Sequence, residues 1–283
     1  MRVILLGTGG SPGVPTIGGP DGRGEWGVCD PTEPRNRRTR ASIVVEADDG
    51  ARLLVDTGPD IRVQLLANAI GRVDAFIYTH AHADHVTGMD DVRILNRSLG
   101  RPLDAFGLQA TLEELAERFA YAFRPVTTPG YFRPALVPRV VASGEVVHIA
   151  GMAVQFFAQD HGWVESLGFR IGGFAYSTDV VRLDELALRI LEGVDTWVVG
   201  CVLREGPHPT HAHLGLVYEW VGRIRPRRTV LTHMGTGMDW GWLQANLPAG
   251  IEPGFDGMVL ELVKPHARQD KPGSGGGGYS PSP

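Results

Sequence analysis

The sequence predicts an α/β protein in which two sheets pack face to face with helices outside. Three observations lead there. The chain is rich in short runs of apolar and β-branched residues, and several helical repeats of apolar spacing lie between them. The order is strands, then helices, then strands and helices again, which reads as two similar halves rather than strict alternation. Strands of that kind bury one face against each other and the other beneath helices.

In chain order, Val3 to Leu6 form an apolar run ending in Gly-Thr-Gly-Gly, a buried strand that leads into a loop. Residues 7 to 40 read as irregular. Further strands are expected at Ser42 to Glu46, Arg52 to Val55, Ala75 to Thr79, Val146 to Ile149, Ala153 to Phe157, Gly168 to Ile171, Phe174 to Ser177, Thr196 to Val199, Thr229 to Thr232 and Met258 to Val263. Helical spacing marks Asp60 to Ala69, Asp90 to Leu99, Thr111 to Phe123, Leu183 to Leu191 and Leu214 to Ile224. The segment Arg124 to Pro138 carries four prolines and two aromatics and reads as an extended excursion or lid. Residues 1 to 267 are expected to form a single domain, and residues 268 to 283, mostly Gly, Ser and Pro, a flexible tail.

Composition narrows the function classes. The 283 residues are 43% hydrophobic and 21% charged, which excludes a wholly disordered chain. A net charge of -5 argues against gripping long nucleic acid, because that needs an excess of Lys and Arg. Cys29 and Cys201 are too few and too far apart for a disulfide framework, so a reducing compartment is expected. The opening apolar run is too short for a signal peptide or a membrane span, and a cytoplasmic protein is expected. A homodimer is left open.

The densest chemical signal is Thr79-His80-Ala81-His82-Ala83-Asp84-His85, directly after an apolar run. In an extended loop His80 and His82 project to the same side, and a turn into a following helix swings Asp84 and His85 toward a second point nearby. Imidazole nitrogen with carboxylate oxygen suits zinc, manganese or iron better than magnesium. The ordinary alternative is a solvated histidine loop. Asp56, His161, Asp179 and His233 each follow an apolar strand. Any one alone would pass for a cap or turn residue, but strand ends at one sheet edge converge in space.

These motifs resemble the metallo-β-lactamase superfamily: His-x-His-x-Asp-His, a preceding Asp-x-Gly in Asp56-Thr57-Gly58, a later His, an Asp and a final His, spread over residues 1 to 265. The resemblance implies an αββα sandwich and two divalent metal ions, Zn2+ or Mn2+ first and Fe as an alternative. It implies that His80, His82 and His161 hold one ion, that Asp84, His85 and His233 hold the other, and that Asp179 bridges both. Asp56 would orient the histidine loop without touching metal. Two such cations at roughly 3.5 to 4 Å share a water and lower its pKa, so a hydroxide between them becomes the nucleophile.

Within the superfamily, Leu-Gly-Thr-Gly-Gly-Ser-Pro-Gly-Val-Pro, Asn36 to Ser42, Leu53 to Asp60 and Leu231 to Gly235 resemble the phosphoribosyl 1,2-cyclic phosphate phosphodiesterase branch. That likeness implies a hydrolase of a small phosphodiester, cyclic or open. The leaving oxygen then needs a proton. The family pattern places a histidine at His211, the expected general acid or phosphate hydrogen-bond donor, with His213 as substitute and His208 behind it. His211, Asp84 and Asp56 are thus assigned to the chemistry. Arg35, Arg37, Arg38 and Arg40 could grip a second phosphate, or could form a solvated loop. Ser11 and Thr16 could face the cleft. Some members of the branch bind a structural zinc through several cysteines between the first two strands. Cys29 alone cannot make such a site, and Cys201 reads as a small core residue.

Other readings of the same motifs are a tRNA 3'-end processing nuclease, which would want a basic platform, and a lactonase or β-lactamase. An inactive metal-binding protein would want missing ligands, and a redox di-iron enzyme a flavin domain.

Overall fold

A computed structural model describes residues 1–127 and 130–262. The expected tail at 268 to 283, and Val263 at the end of the last expected strand, lie outside the described residues. In the first half the elements are β1 (Arg2–Gly7), β2 (Ser42–Glu46), β3 (Arg52–Val55), α1 (Ile61–Ala67), β4 (Ala75–Ile77), α2 (Ala83–Val86), α3 (Val92–Leu99), β5 (Leu103–Gly107), α4 (Gln109–Arg118), α5 (Ala120–Phe123) and β6 (Leu136–Val140). In the second they are β7 (Val146–Ile149), β8 (Met152–Asp160), β9 (Glu165–Ile171), β10 (Phe174–Ser177), α6 (Glu185–Leu191), β11 (Thr196–Gly200), α7 (Leu214–Ile224), β12 (Arg228–Thr232), α8 (Trp240–Asn246), β13 (Ile251–Pro253) and β14 (Met258–Glu261).

Among the described residues these strands make two seven-stranded sheets, ordered β14-β1-β2-β3-β4-β5-β6 and β13-β12-β11-β10-β9-β8-β7. Each sheet is parallel from β3 to β6 or from β10 to β13 and antiparallel in its remaining pairs. The two halves therefore repeat one plan.

Alternation along the strands sorts the core into three layers. Val3, Leu5, Ile43, Val45, Leu53 and Val55 face Val154, Phe156, Phe169, Val198 and Val230 of the other sheet. Their neighbours Ile4, Leu6, Val44, Leu54 and Phe76 point outward under Ile61 and Leu65 of α1, Leu95 of α3 and Leu112 of α4. Trp197, Val199 and Leu231 do the same beneath α6 and α7. Strands covered on both faces must be apolar at every position, which is why they read as unbroken runs.

Three strands escaped the sequence reading. β5 contains Asp104 and a glycine. β13 has three residues and ends in a proline. β6 sits at the end of the proline-rich segment read as an excursion. It is an edge strand paired with β5 alone, where Pro138 forfeits no ladder bond on the open side. The helix expected over Thr111 to Phe123 is two helices, broken at Phe119 (φ -119°, ψ 41°). The one expected from Asp90 starts with a 3-10 turn at Met89–Asp91 before α3.

Candidate metal centre

All the predicted site residues leave the carboxyl ends of strands at one edge of the sandwich. Asp56 follows β3, the His80 loop follows β4, His161 follows β8, Asp179 lies just past β10, and His233 follows β12. His211 sits in the connection between β11 and α7. Asp56, Asp179 and His233 have φ of 62°, 48° and 53°. Residues with side chains rarely hold this left-handed conformation, which costs roughly 1–2 kcal/mol per residue. Here it turns the chain sharply at the strand end and throws the side chain into the cleft. The amide of Leu167 in β9 donates to the Thr79 carbonyl at 2.8 Å, which ties the two halves together beside the site.

The order of the hydrogen bonds decides which histidine nitrogen faces inward. The Asp56 carboxylate accepts from the Thr79 amide (2.8 Å), from Thr79 Oγ1 (2.7 Å) and from His85 Nδ1 (2.7 Å). A carboxylate can only accept, so His85 carries its proton on Nδ1. Thr79 has spent its one hydroxyl proton on Asp56, so it accepts from His80 Nδ1 at 3.0 Å. His161 Nδ1 donates to the Thr210 carbonyl at 2.7 Å. In all three rings it is therefore Nε2 that faces the cleft.

Those nitrogens converge. His82 Nδ1 lies 3.0 Å from His80 Nε2 and 3.2 Å from His161 Nε2. The Asp179 carboxylate sits in the middle, with Oδ2 3.2 Å from His85 Nε2 and Oδ1 3.3 Å from His233 Nε2, 3.6 Å from His211 Nδ1, 3.7 Å from His161 Nε2 and 3.9 Å from His80 Nε2. Asp84 Oδ2 stands 3.3 Å from His85 Nε2 and 3.5 Å from His233 Nε2. The sets His80–His82–His161 and Asp84–His85–His233 each bring three ligand-type atoms within 4.8 Å, as does the set containing Asp179 with His80 and His85.

The donor set fits a cation. Asp84 Oδ2, His85 Nε2 and His233 Nε2 are buried, face one another, and make no hydrogen bond. Buried polar atoms are ordinarily paired, and leaving one unpaired costs about 1–3 kcal/mol. Burial drives His80 and His161 below the ordinary histidine range. It pushes His211 down to about 3. For His85 burial works in the same direction, but the carboxylates of Asp179, Asp56 and Asp84 outweigh it and hold the ring well above the ordinary value. Burial opposes ionisation of Asp179 and Asp84, yet the surrounding imidazoles hold both carboxyls below their usual range.

Several residues fall elsewhere than expected. The His213 ring packs against Gly206 and Gly215 at the start of α7, whereas His211 is the one of the two that faces Asp179. His208 has its ring centroid 5.1 Å from that of His211, and both rings line a cavity beside His233. Ser11 lines that cavity, whereas Thr16 pairs with Glu25 in a hairpin. The arginine run is divided between surface and core: Arg37 is exposed, Arg35 and Arg40 are partly exposed, and Arg38 is buried. Arg38 is 2% exposed and donates to the Met238 carbonyl (2.6 Å) and to Asn36 Oδ1 (3.2 Å). Arg35 pairs with Glu33 and stacks on Trp240, Arg37 lies over Trp26, and Arg40 pairs with Asp60. Cys29 is buried, and its thiol donates to the Thr236 carbonyl. Cys201 packs in the core under α7.

Thr79, Thr178 and Thr210 were not singled out from the sequence. Thr178 Oγ1 donates to Asp179 Oδ2 at 2.6 Å, as Thr79 does to Asp56. The signal was present: each of Thr79, Thr178 and Thr210 directly precedes a site residue.

A sandwich of two mixed sheets with a histidine–aspartate centre at its strand ends defines a hydrolase of the metallo-β-lactamase type. The chain matches the beta-lactamase superfamily domain over residues 51–234 and belongs to that family. It resembles the PhnP branch: a crystal structure of a new diphosphatase from the PhnP family superposes with a TM-score of 0.81 at 31% identity, covering 93% of this chain and 98% of that one. An octanoyltransferase of Porphyromonas gingivalis is 31% identical over 260 residues, 91% of this chain and 51% of its own length. A ribonuclease Z of a Bradyrhizobium species is 29% identical over 140 residues, 48% of this chain and 45% of its own. The chain thus spans about half the length of these curated relatives. Among the described residues no helix is long and apolar enough to cross a membrane.

Proposed function

We propose that the protein is a dinuclear metal-dependent phosphodiesterase acting on a small diester. The observation that carries this reading is the Asp179 carboxylate, faced within 3.9 Å by ring nitrogens of five histidines, with bare buried ligand atoms beside it. His80, His82 and His161 would hold one ion, Asp84, His85 and His233 the other, and Asp179 would serve both. Two divalent cations, zinc or manganese before iron, would supply Lewis acidity toward phosphoryl oxygens and a water that ionises near neutral pH.

The chain's own part is positioning. Asp56 and Thr79 lock the His80 and His85 rings, and the Thr210 carbonyl locks His161, so the ligand atoms are set before substrate arrives. His211 faces Asp179 from the side that opens into a cavity of about 320 Å3 walled by Gly10, Ser11 and Gly235. Its surroundings keep it neutral, so its role is hydrogen-bond donation to a phosphoryl oxygen rather than delivery of a proton from a charged ring.

The likeness to a PhnP-family diphosphatase supports phosphorus as the electrophile and makes a phosphoanhydride the second reading. There the leaving group is itself a phosphate and needs no general acid. The ribonuclease Z likeness supports diester chemistry but covers under half of each chain. The test is a hydrolysis panel on protein loaded with a defined metal: bis-p-nitrophenyl phosphate, cyclic nucleotides, ADP, a lactone and a cephalosporin. Turnover confined to phosphodiesters supports the proposal. Turnover of ADP alone moves the function to the anhydride, and turnover of the lactone or cephalosporin alone overturns it.

A further inference from the structure

The cleft continues on both sides of Asp179, and the two sides differ in chemistry. The side of His211 and His233 is the small, glycine-walled cavity described above. On the side of His80 and His82 a cavity of about 890 Å3 opens between α4 and the turn joining β8 to β9. That volume is at the upper end of ordinary small-ligand sites, about 300–1,000 Å3. Its floor is apolar, with Leu108, Val141 and Ala158, and one wall is Trp163. Trp163 is 83% exposed, directly after the predicted ligand His161 and its glycine.

The charged groups of this cavity are Glu113, Glu114, Glu165 and Arg118. Arg118 is engaged, donating to the Ala81 carbonyl at 2.5 Å and pairing with Glu114. Glu113 accepts from Gln109 at 2.5 Å. No cation is left over among these lining residues to neutralise an anion, and the carboxylates repel one. A second phosphate is therefore excluded from this side. What remains favoured is a neutral group with a flat apolar face for Trp163 and hydroxyls for carboxylate and amide acceptors. Aromatic side chains bind nucleobases through stacking whatever the base, because every base has a π-face.

We propose that this cavity is a nucleoside subsite, so that the diester's larger arm is a nucleoside with its base against Trp163 and its sugar hydroxyls toward Glu165 and Glu113. The inference rests on the phosphodiesterase reading and names the substrate class within it. The nucleoside enters from the His82 side, and the smaller arm of the diester lies toward Gly10 and His211.

Two measurements test it, one of which needs no turnover. In a fluorescence titration adenosine quenches the wild-type protein saturably, and Trp163→Ala loses that quench. If adenosine fails to quench, or quenches both proteins alike, the subsite is overturned. A quench by choline in place of adenosine overturns it too, since the carboxylates and Trp163 would then form a site for a cation. In the kinetic arm, adenosine 5'-(methyl phosphate) is compared with the 5-(methyl phosphate) of methyl riboside, which has the same scissile bonds and no base. The wild type should favour the first by about fivefold or more in kcat/KM, the lower end of base stacking, and Trp163→Ala should collapse that ratio toward one. An unchanged ratio overturns the subsite while leaving the phosphodiesterase standing. If neither these diesters nor bis-p-nitrophenyl phosphate is cleaved although adenosine still quenches through Trp163, the phosphodiesterase reading falls and the nucleoside site stands.

Discussion

Asp56 Oδ2 accepts from His85 Nδ1 at 2.7 Å with both side chains fully buried, and this one contact sets the direction in which the other ring nitrogen points. Asp56 does not reach the cluster itself. Its replacement by Ala should leave the fold assembled but free the His85 ring and remove the acceptor that orders Thr79. Losing such an outer partner typically costs 10–100-fold in metal affinity. Competition with a chromophoric chelator should read that loss, with Asp56→Asn recovering part of it because its carbonyl oxygen can still accept from Nδ1. Unchanged affinity in the Ala variant would show that His85 is held by its other neighbours.

Asp179 and His82 should fail differently. Oδ1 and Oδ2 of Asp179 touch both halves of the ligand set, whereas His82 approaches only His80 and His161. Asp179→Ala should therefore lower total bound metal toward zero, and His82→Ala should lower it from two ions toward one. Elemental analysis after desalting gives the stoichiometry. Equal losses in the two variants would mean that the sites empty together and that Asp179 has no special place between them.

Much of this centre was legible because its ligands occur where apolar strands end, and strand ends on one edge of a sandwich have no choice but to meet. His80, His82, Asp84 and His85 are also contiguous, so a single turn gathers them. The Trp163 cavity could not be read that way. It exists only because α4 packs across from the β8–β9 turn, an encounter that no local pattern encodes. The burial of Arg38 was missed for the same reason. What buries Arg38 is the Met238 carbonyl, 200 residues further along, and a charged run with unseen partners looks like any surface loop. β6 and β13 were missed because an edge position tolerates proline and polar residues that a central strand would not, and β5, an inner strand, because Asp104 and Gly107 interrupt its apolar run.

Gly58 completes Asp-Thr-Gly for a steric reason. A Cβ there would lie 2.2 Å from the Asp84 carbonyl oxygen, which is backbone and cannot swing aside. The loop after β3 and the turn of α2 are pressed together at this point, where the Thr57 amide donates to the His85 carbonyl at 2.7 Å. Gly58→Ala must push α2 away, with Asp84 and His85 on it. Overpacking of this kind costs typically 1–3 kcal/mol. Differential scanning calorimetry of the metal-free protein should show the lower Tm, and metal affinity should fall with it. A normal Tm with normal affinity would show that the loop has slack the structure does not display.

His211 separates chemistry from metal binding, and its acid behaviour can be worked out by sign. Burial lowers its pKa to about 3 in the folded protein, against about 6.5 when unfolded. Above pH 6.5 both states are neutral and the residue contributes no pH dependence. As pH falls from 6.5 toward 3 the unfolded chain takes up a proton that the folded ring refuses, so the unfolded state binds more protons and stability drops. In chelator-treated protein, His211→Gln should therefore lose less Tm than wild type between pH 6.5 and 4, and an equal slope would mean the ring is not desolvated. In the loaded protein the same variant should keep its two ions while turnover falls about 10²-fold or more, the usual scale for a positioned hydrogen-bonding or proton-transferring group. Loss of an ion from His211→Gln would instead make His211 a ligand, which its 3.6 Å approach to Asp179 leaves geometrically within reach.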